Sequence, residues 1–299
     1  MRQTVNIISA ITAFLLATIF LNGCETEDNI VVSENRPPTI AAVRAFPSLV
    51  SPEGLVTLIC DARDNDSEHL EVVWSCQDGL FEDGVLGVSV GWTAPAEEGS
   101  YLVNVIASDG KLDTHGNVVV TVMEGASSGY LIQLKPENWW EYRVVTYVND
   151  TLRADTTSII TVDSTIEYNG NTWFRLAFDG ESQSDIYFRN NFQGLLSLTF
   201  SDEYSNGREA VYFRYPTGAG ESWTRTDSVS VRVERTEEQM DVPYAHFEGC
   251  VLYYERSNGE LIREVWMKQD YGYVKTSATT NENGNRVRVE WRLKDLYRG

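Results

Sequence analysis

The stretch Asn283-Gly284-Asn285-Arg286-Val287-Arg288-Val289-Glu290-Trp291-Arg292-Leu293 decides the fold class. Val287, Val289, Trp291 and Leu293 alternate with Arg288, Glu290 and Arg292. Successive side chains of a strand point to opposite faces, so this period of two predicts a strand with one buried and one wet face. Asn283-Gly284 ahead of it favours the left-handed backbone of a tight hairpin turn. Working outward, the same two signals recur. Val229, Val231 and Val233 alternate with Ser230 and Arg232, and Asn169-Gly170, Asp179-Gly180, Asn206-Gly207 and Asn258-Gly259 punctuate the runs. Residues 130–299 therefore read as a large antiparallel curved sheet or an incomplete barrel, and no helix longer than a turn or two is predicted.

Upstream, over 37–124, shorter alternating runs cover Val56 to Ala62, Leu70 to Cys76, Val85 to Trp92, Tyr101 to Ala107 and Val118 to Val122. Asp78-Gly79, Asp83-Gly84, Ala94-Pro95 and Asp109-Gly110 break them, which predicts an antiparallel β-sandwich. The class is all-β throughout. Arg36-Pro37-Pro38, Asp64-Asn65-Asp66, Val73-Trp74-Ser75, Gly91-Trp92-Thr93-Ala94-Pro95, Gly99-Ser100-Tyr101 and Ala107-Ser108-Asp109-Gly110 resemble the immunoglobulin-like modules of the PKD and cadherin-like kind in bacterial surface proteins. That resemblance implies a spacer, adhesion or binding unit. A link over 125–129 separates the two halves, in keeping with a 299-residue chain of about two domains.

The later half carries a resemblance of its own. Leu134-Lys135-Pro136-Glu137-Asn138-Trp139-Trp140-Glu141-Tyr142, Tyr215-Pro216 through Trp223, Val242-Pro243-Tyr244-Ala245-His246-Phe247-Glu248-Gly249-Cys250, and Val265-Trp266 through Tyr271-Gly272-Tyr273-Val274-Lys275 are similar to a group of uncharacterised bacterial lipoproteins. Three departures stand out: Glu137 replaces a glycine, Ala245 replaces the glycine after proline, and Asp270 precedes Tyr271. The resemblance implies no particular activity.

At the other end, an apolar run from Ile8 to Leu21 is too short to cross a bilayer and reads as a secretory signal over 1–23. Leu21-Asn22-Gly23-Cys24 resembles the lipobox of bacterial lipoproteins, which implies a lipid on the Cys24 thiol. Several acyl chains, each gaining about 0.8 kcal/mol per buried CH₂, would hold the chain on a membrane. An acidic tether over 24–36 follows, with Glu25 after the cysteine, a pattern compatible with the outer membrane or the cell surface. The expected partners are thus a membrane through the lipid anchor and a glycan or an envelope protein. With 24 Lys and Arg against 44 Asp and Glu, the net charge of −20 repels phosphate backbones, so nucleic acid is not expected.

An exported chain meets an oxidising compartment, so cysteine pairing matters. Cys60 shares a strand face with Val56 and Leu58, and Cys76 with Val72 and Trp74. Two inward cysteines on consecutive strands predict a Cys60–Cys76 disulfide, worth about 3 kcal/mol in the chain-entropy model. Two buried reduced thiols are the alternative. Cys250, beside Phe247 and Leu252, reads as a buried, unreactive thiol.

Asp61, Asp64, Asp66 and Glu68 offer hard oxygen ligands of the kind calcium takes. His69 and Ser75 stand where an EF-hand needs Gly and Glu, so a solvated loop is the plainer reading. His69, His115 and His246 are scattered and match no zinc-hydrolase spacing, and no cofactor is expected. Glu141, Glu264 and Glu290 lie among aromatics as a glycosidase's carboxylates would, but each alternates outward from an apolar neighbour. Catalysis is not expected. Trp139, Trp140 and Trp223, with the neighbouring tyrosines, form either core or a ligand surface for sugars or an apolar molecule. Alternation with Tyr142 and Val144 directs Trp140 inward.

Overall fold

The computed structural model describes residues 34–82, 84–179, 186–201 and 206–298. Cys24, the signal segment and most of the tether lie outside the described residues. Arg36–Gly299 forms one compact unit, and it carries its own hydrophobic cores.

Its first part holds β1 (Thr39–Phe46), β2 (Leu49–Val50), β3 (Leu55–Arg63), β4 (Glu71–Ser75), β5 (Leu80–Phe81), β6 (Ser89–Thr93), β7 (Gly99–Ser108) and β8 (Asp113–Val122). Two four-stranded sheets, ordered β1-β3-β6-β5 and β2-β8-β7-β4, enclose one core in the immunoglobulin-type arrangement. The expected antiparallel pairing holds except between β2 and β8, which run parallel. Trp74 and Trp92 fill the middle. Each indole N–H donates to a loop carbonyl, of Gly87 and Asp78 respectively, so burying them leaves no orphan donor.

The predicted Cys60–Cys76 bridge is not formed; both are free thiols. Register explains this. The Cys60 amide donates to the Val88 carbonyl, whereas the Cys76 thiol donates to the Leu102 carbonyl, beside Tyr101 and its ring contact with Trp92. Trp92 stands opposite Val56 on β3, and four residues of strand from Val56 to Cys60 span about 13 Å. A disulfide needs Cα atoms within about 7 Å. The Cys60 thiol is pushed up by burial and then by the Asp61 carboxylate. Cys250 is fully buried, as expected, and burial pushes its thiol up to about 11.

The second part holds β9 (Trp139–Val148), β10 (Thr151–Tyr168), β11 (Asn171–Phe178), β12 (Ile186–Asn191), β13 (Gly194–Thr199), β14 (Arg208–Arg214), β15 (Ser222–Thr224), β16 (Val229–Asp241), β17 (His246–Ser257), β18 (Glu260–Lys268), β19 (Gly272–Glu282) and β20 (Asn285–Tyr297). They form one antiparallel twelve-stranded sheet that does not close. Two six-stranded meanders, β9 to β14 and β15 to β20, join where β9 pairs with β20. The expected Asn-Gly turns appear with positive φ at Asn169, Asn258 and Asn283, closing the two-residue hairpins β10–β11, β17–β18 and β19–β20.

The open seam lies between β14 and β15, the sheet's two edges. Side chains bridge it in place of a strand ladder. The Trp223 indole donates to the Val211 carbonyl at 2.9 Å, the Tyr253 hydroxyl donates to the Arg214 carbonyl at 2.7 Å, and the Arg225 guanidinium sits 4.1 Å from the Tyr212 ring centre. Rolled this way, the sheet buries its inner face in one cluster that runs from Trp140 and Tyr142 through Phe213, Trp223 and Tyr253 to Leu293.

The link over 125–129 is pinned on both sides. Ser51 N–H donates to the Ser127 carbonyl and Leu55 N–H to that of Ser128. The Ser128 amide and hydroxyl both donate to the Asp270 carboxylate, and the Asp270 amide donates to the Tyr130 carbonyl. Asp270 thus ties the link to the large sheet. Phe192 adds a second tie, its carbonyl accepting from the Thr57 hydroxyl at 3.0 Å.

Candidate functional site

Inside the rolled sheet is a pocket of about 390 Å³, within the range of small-molecule sites. Strands β10 to β12 supply one wall: Ile160, Leu176, Phe178, Ile186 and Phe188. Tyr142, Val289 and Trp291 form the back, where β9 and β20 pair. Their inward aim follows from the period-two pattern, with Trp291 opposite Val144 and flanked by Tyr142 and Phe178 rings at 5.8 and 6.1 Å. Tyr212, Tyr273 and Arg263 bound the remaining side. Burial pushes the Tyr142 and Tyr273 hydroxyls up, so both stay protonated.

Arg263 is the one charged side chain in this lining among the described residues. It stands opposite Glu255, in phase with Val265 and Met267, so its strand position forces it inward. Its Nε and Nη2 donate to the two Glu255 oxygens at 2.9 and 2.8 Å, and Nη2 reaches the Tyr212 hydroxyl at 3.4 Å. Arg225 donates to the same carboxylate at 2.8 Å. The Glu255 side chain is 2% exposed, while that of Arg263 remains 30% exposed. Burial opposes ionisation of Glu255, but the two guanidiniums outweigh it and hold the carboxyl below the usual range.

A second cavity, of about 690 Å³, lies between the sandwich and the large sheet. Its lining is polar and includes Glu53, Gln133, Lys135, Arg189 and Asn190. Arg189 Nε and Asn190 Oδ1 are buried there without a hydrogen-bond partner, although Arg189 lies over the Trp173 ring and the Asn190 amide donates to the Ile132 carbonyl.

The sequence-derived candidates fare differently. Of the acidic set, Asp64 and Asp66 come together with Asp109, their ligand oxygens within 4.8 Å, while Asp61 turns to Arg63 and Glu68 is exposed on the surface. Turn architecture accounts for this: Asp64 Oδ1 accepts the Asp66 and Ser67 amides, and Asp109 Oδ1 those of Lys111 and Leu112. Trp140 and Trp223 are core, not platform, and Trp139 is half-buried. None of these three tryptophans lines the apolar pocket. Glu141 is half-buried and pairs with Lys294, whereas Glu290, expected on a wet face, is buried at 6% exposure and paired with Arg288 and Arg292. Arg263, Glu255 and Arg225 escaped notice in the sequence. The available signal was a charge at an inward position, Glu255 in phase with Val251 and Tyr253.

No protein-family model and no curated protein matches the chain. Among solved structures, it is similar to a candidate exported protein of Bacteroides fragilis with a YmcC-like fold, at 12% identity and a TM-score of 0.28, covering 58% of this chain and all of that one. A quinoprotein alcohol dehydrogenase-like protein of Bacteroides thetaiotaomicron gives 6% identity and a TM-score of 0.20, covering 84% of this chain and 68% of that one. At such scores neither likeness carries a functional argument, and the reading rests on the site.

Proposed function

We propose that this chain is an exported, lipid-anchored envelope or cell-surface protein that acts without catalysis as a binding module, taking an apolar small molecule into its rolled sheet. The observation that carries the binding role is the aromatic-walled 390 Å³ pocket. Elsewhere the inner face is filled by large side chains, so an accessible apolar hollow there is a departure that a ligand explains. Titrating residues 36–299 with an environment-sensitive apolar dye, followed by Val289→Trp to fill the hollow, tests it. Dye binding lost on filling supports the reading; undiminished binding overturns it.

Anchoring rests on the lipobox-like Leu21 to Cys24 and the acidic tether. Cys24→Ala is expected to release the chain from the membrane fraction and to abolish labelling by a fatty-acid precursor. Glycan capture is a second reading, favoured by the polar 690 Å³ cleft with its unpartnered Arg189 Nε and Asn190 Oδ1. A glycan array comparing residues 36–299 with an Asn190→Ala variant distinguishes it from the first.

A further inference from the structure

Resting on the pocket reading above, we propose that the ligand is a monoanionic amphiphile: a single aliphatic chain bearing a carboxylate held at Arg263 and Tyr212. Two guanidiniums, of Arg225 and Arg263, share the one Glu255 carboxylate. The cluster therefore carries one uncompensated positive charge at the margin of an apolar hollow, an arrangement that is costly unless an anion completes it. Arg263 is the member that opens to the pocket. Its Nε and Nη2 are committed to Glu255 and Tyr212, while Nη1 has no hydrogen-bond partner among the described residues. The Tyr212 hydroxyl accepts from Arg263, which leaves its own proton to donate.

These two donors converge on one corner of the lining, and Ile160, Leu176, Phe188 and Trp291 supply the apolar surface for a chain. A neutral ligand would leave the excess charge unmatched, and a cation would add to it. A dianion would exceed it.

Calorimetry on residues 36–299 with three ligands of identical chain, dodecanoate, dodecanol and dodecyltrimethylammonium, all below their micellar concentrations, tests the assignment. Dodecanoate is expected to bind at least about tenfold more tightly than dodecanol, since a hydrogen bond between charged groups is stronger than one to a neutral hydroxyl. The ammonium ligand is expected to bind weakest. Arg263→Met should bring dodecanoate to the level of dodecanol measured on the same variant. Tyr212→Phe, a milder change, should weaken dodecanoate alone by a few-fold. Equal affinity for dodecanoate and dodecanol in the unmodified protein overturns the anionic assignment and leaves the pocket reading standing. Failure of all three to bind overturns both. The headgroup series decides the matter even where Arg263→Met does not fold.

Discussion

Trp140 shows how much one residue contributes to this fold. It is 1% exposed, and its indole donates to the Tyr271 carbonyl at 3.0 Å, linking β9 to the segment before β19. Trp140→Ala removes both burial and bond, and we expect a loss of about 3–5 kcal/mol, read as a lower urea midpoint of residues 36–299. Glu255 sets a different balance. Its folded carboxyl lies below the ordinary value near 4.3. The stability it contributes is therefore present above about pH 4.3 and is lost as pH falls through the folded pKa. Glu255→Gln, which strands two guanidiniums, should cost about 3–5 kcal/mol at neutral pH. The gap between variant and parent should narrow by pH 3, and urea midpoints at both pH values check it.

Among the elements, two turns decide how the large sheet begins and how it meets the sandwich. Lys135-Pro136-Glu137-Asn138 is a type II turn, closed by the Asn138 amide on the Lys135 carbonyl at 3.2 Å. Its third position needs positive φ, and Glu137 adopts 73° there, a conformation that favours glycine. Left-handed backbone costs a non-glycine residue about 1–2 kcal/mol, part of which returns as unfolded-chain entropy. Glu137→Gly should therefore raise the thermal midpoint by about 1 kcal/mol equivalent. Gly129 is the opposite case. At φ +79° a Cβ would lie 1.7 Å from the Leu55 carbonyl oxygen, so Gly129→Ala must displace the strand start. We expect at least about 2 kcal/mol of destabilisation, with the Ser128–Asp270 contact weakened, measurable as faster amide exchange at Leu55.

At the scale of the whole molecule, the sandwich and the rolled sheet behave as one body because the link is pinned on both sides and Phe192 seats against Gly91, where a Cβ would come within 2.9 Å. Unfolding of residues 36–299 is therefore expected as one transition, coincident by tryptophan fluorescence and far-UV circular dichroism. Two separated transitions would show the halves to be independent.

Period-two alternation and Asn-Gly turns made the all-β class, the strand runs around Val229 and Val287, and the inward aim of Trp140 legible in the residues alone. These are local properties: a strand's facing and a hairpin's handedness depend on neighbours two residues away. The Cys60–Cys76 pairing was beyond that reach, because inward orientation does not state the level at which two strands of opposite sheets meet. The pocket was beyond it too. Glu255, Arg263 and Arg225 come together only when β17 and β18 pair in register and the sheet rolls until the β14 edge faces β15. A charge at an inward position reads as an anomaly along the chain, and tertiary structure alone supplies the partner that makes burying it tolerable.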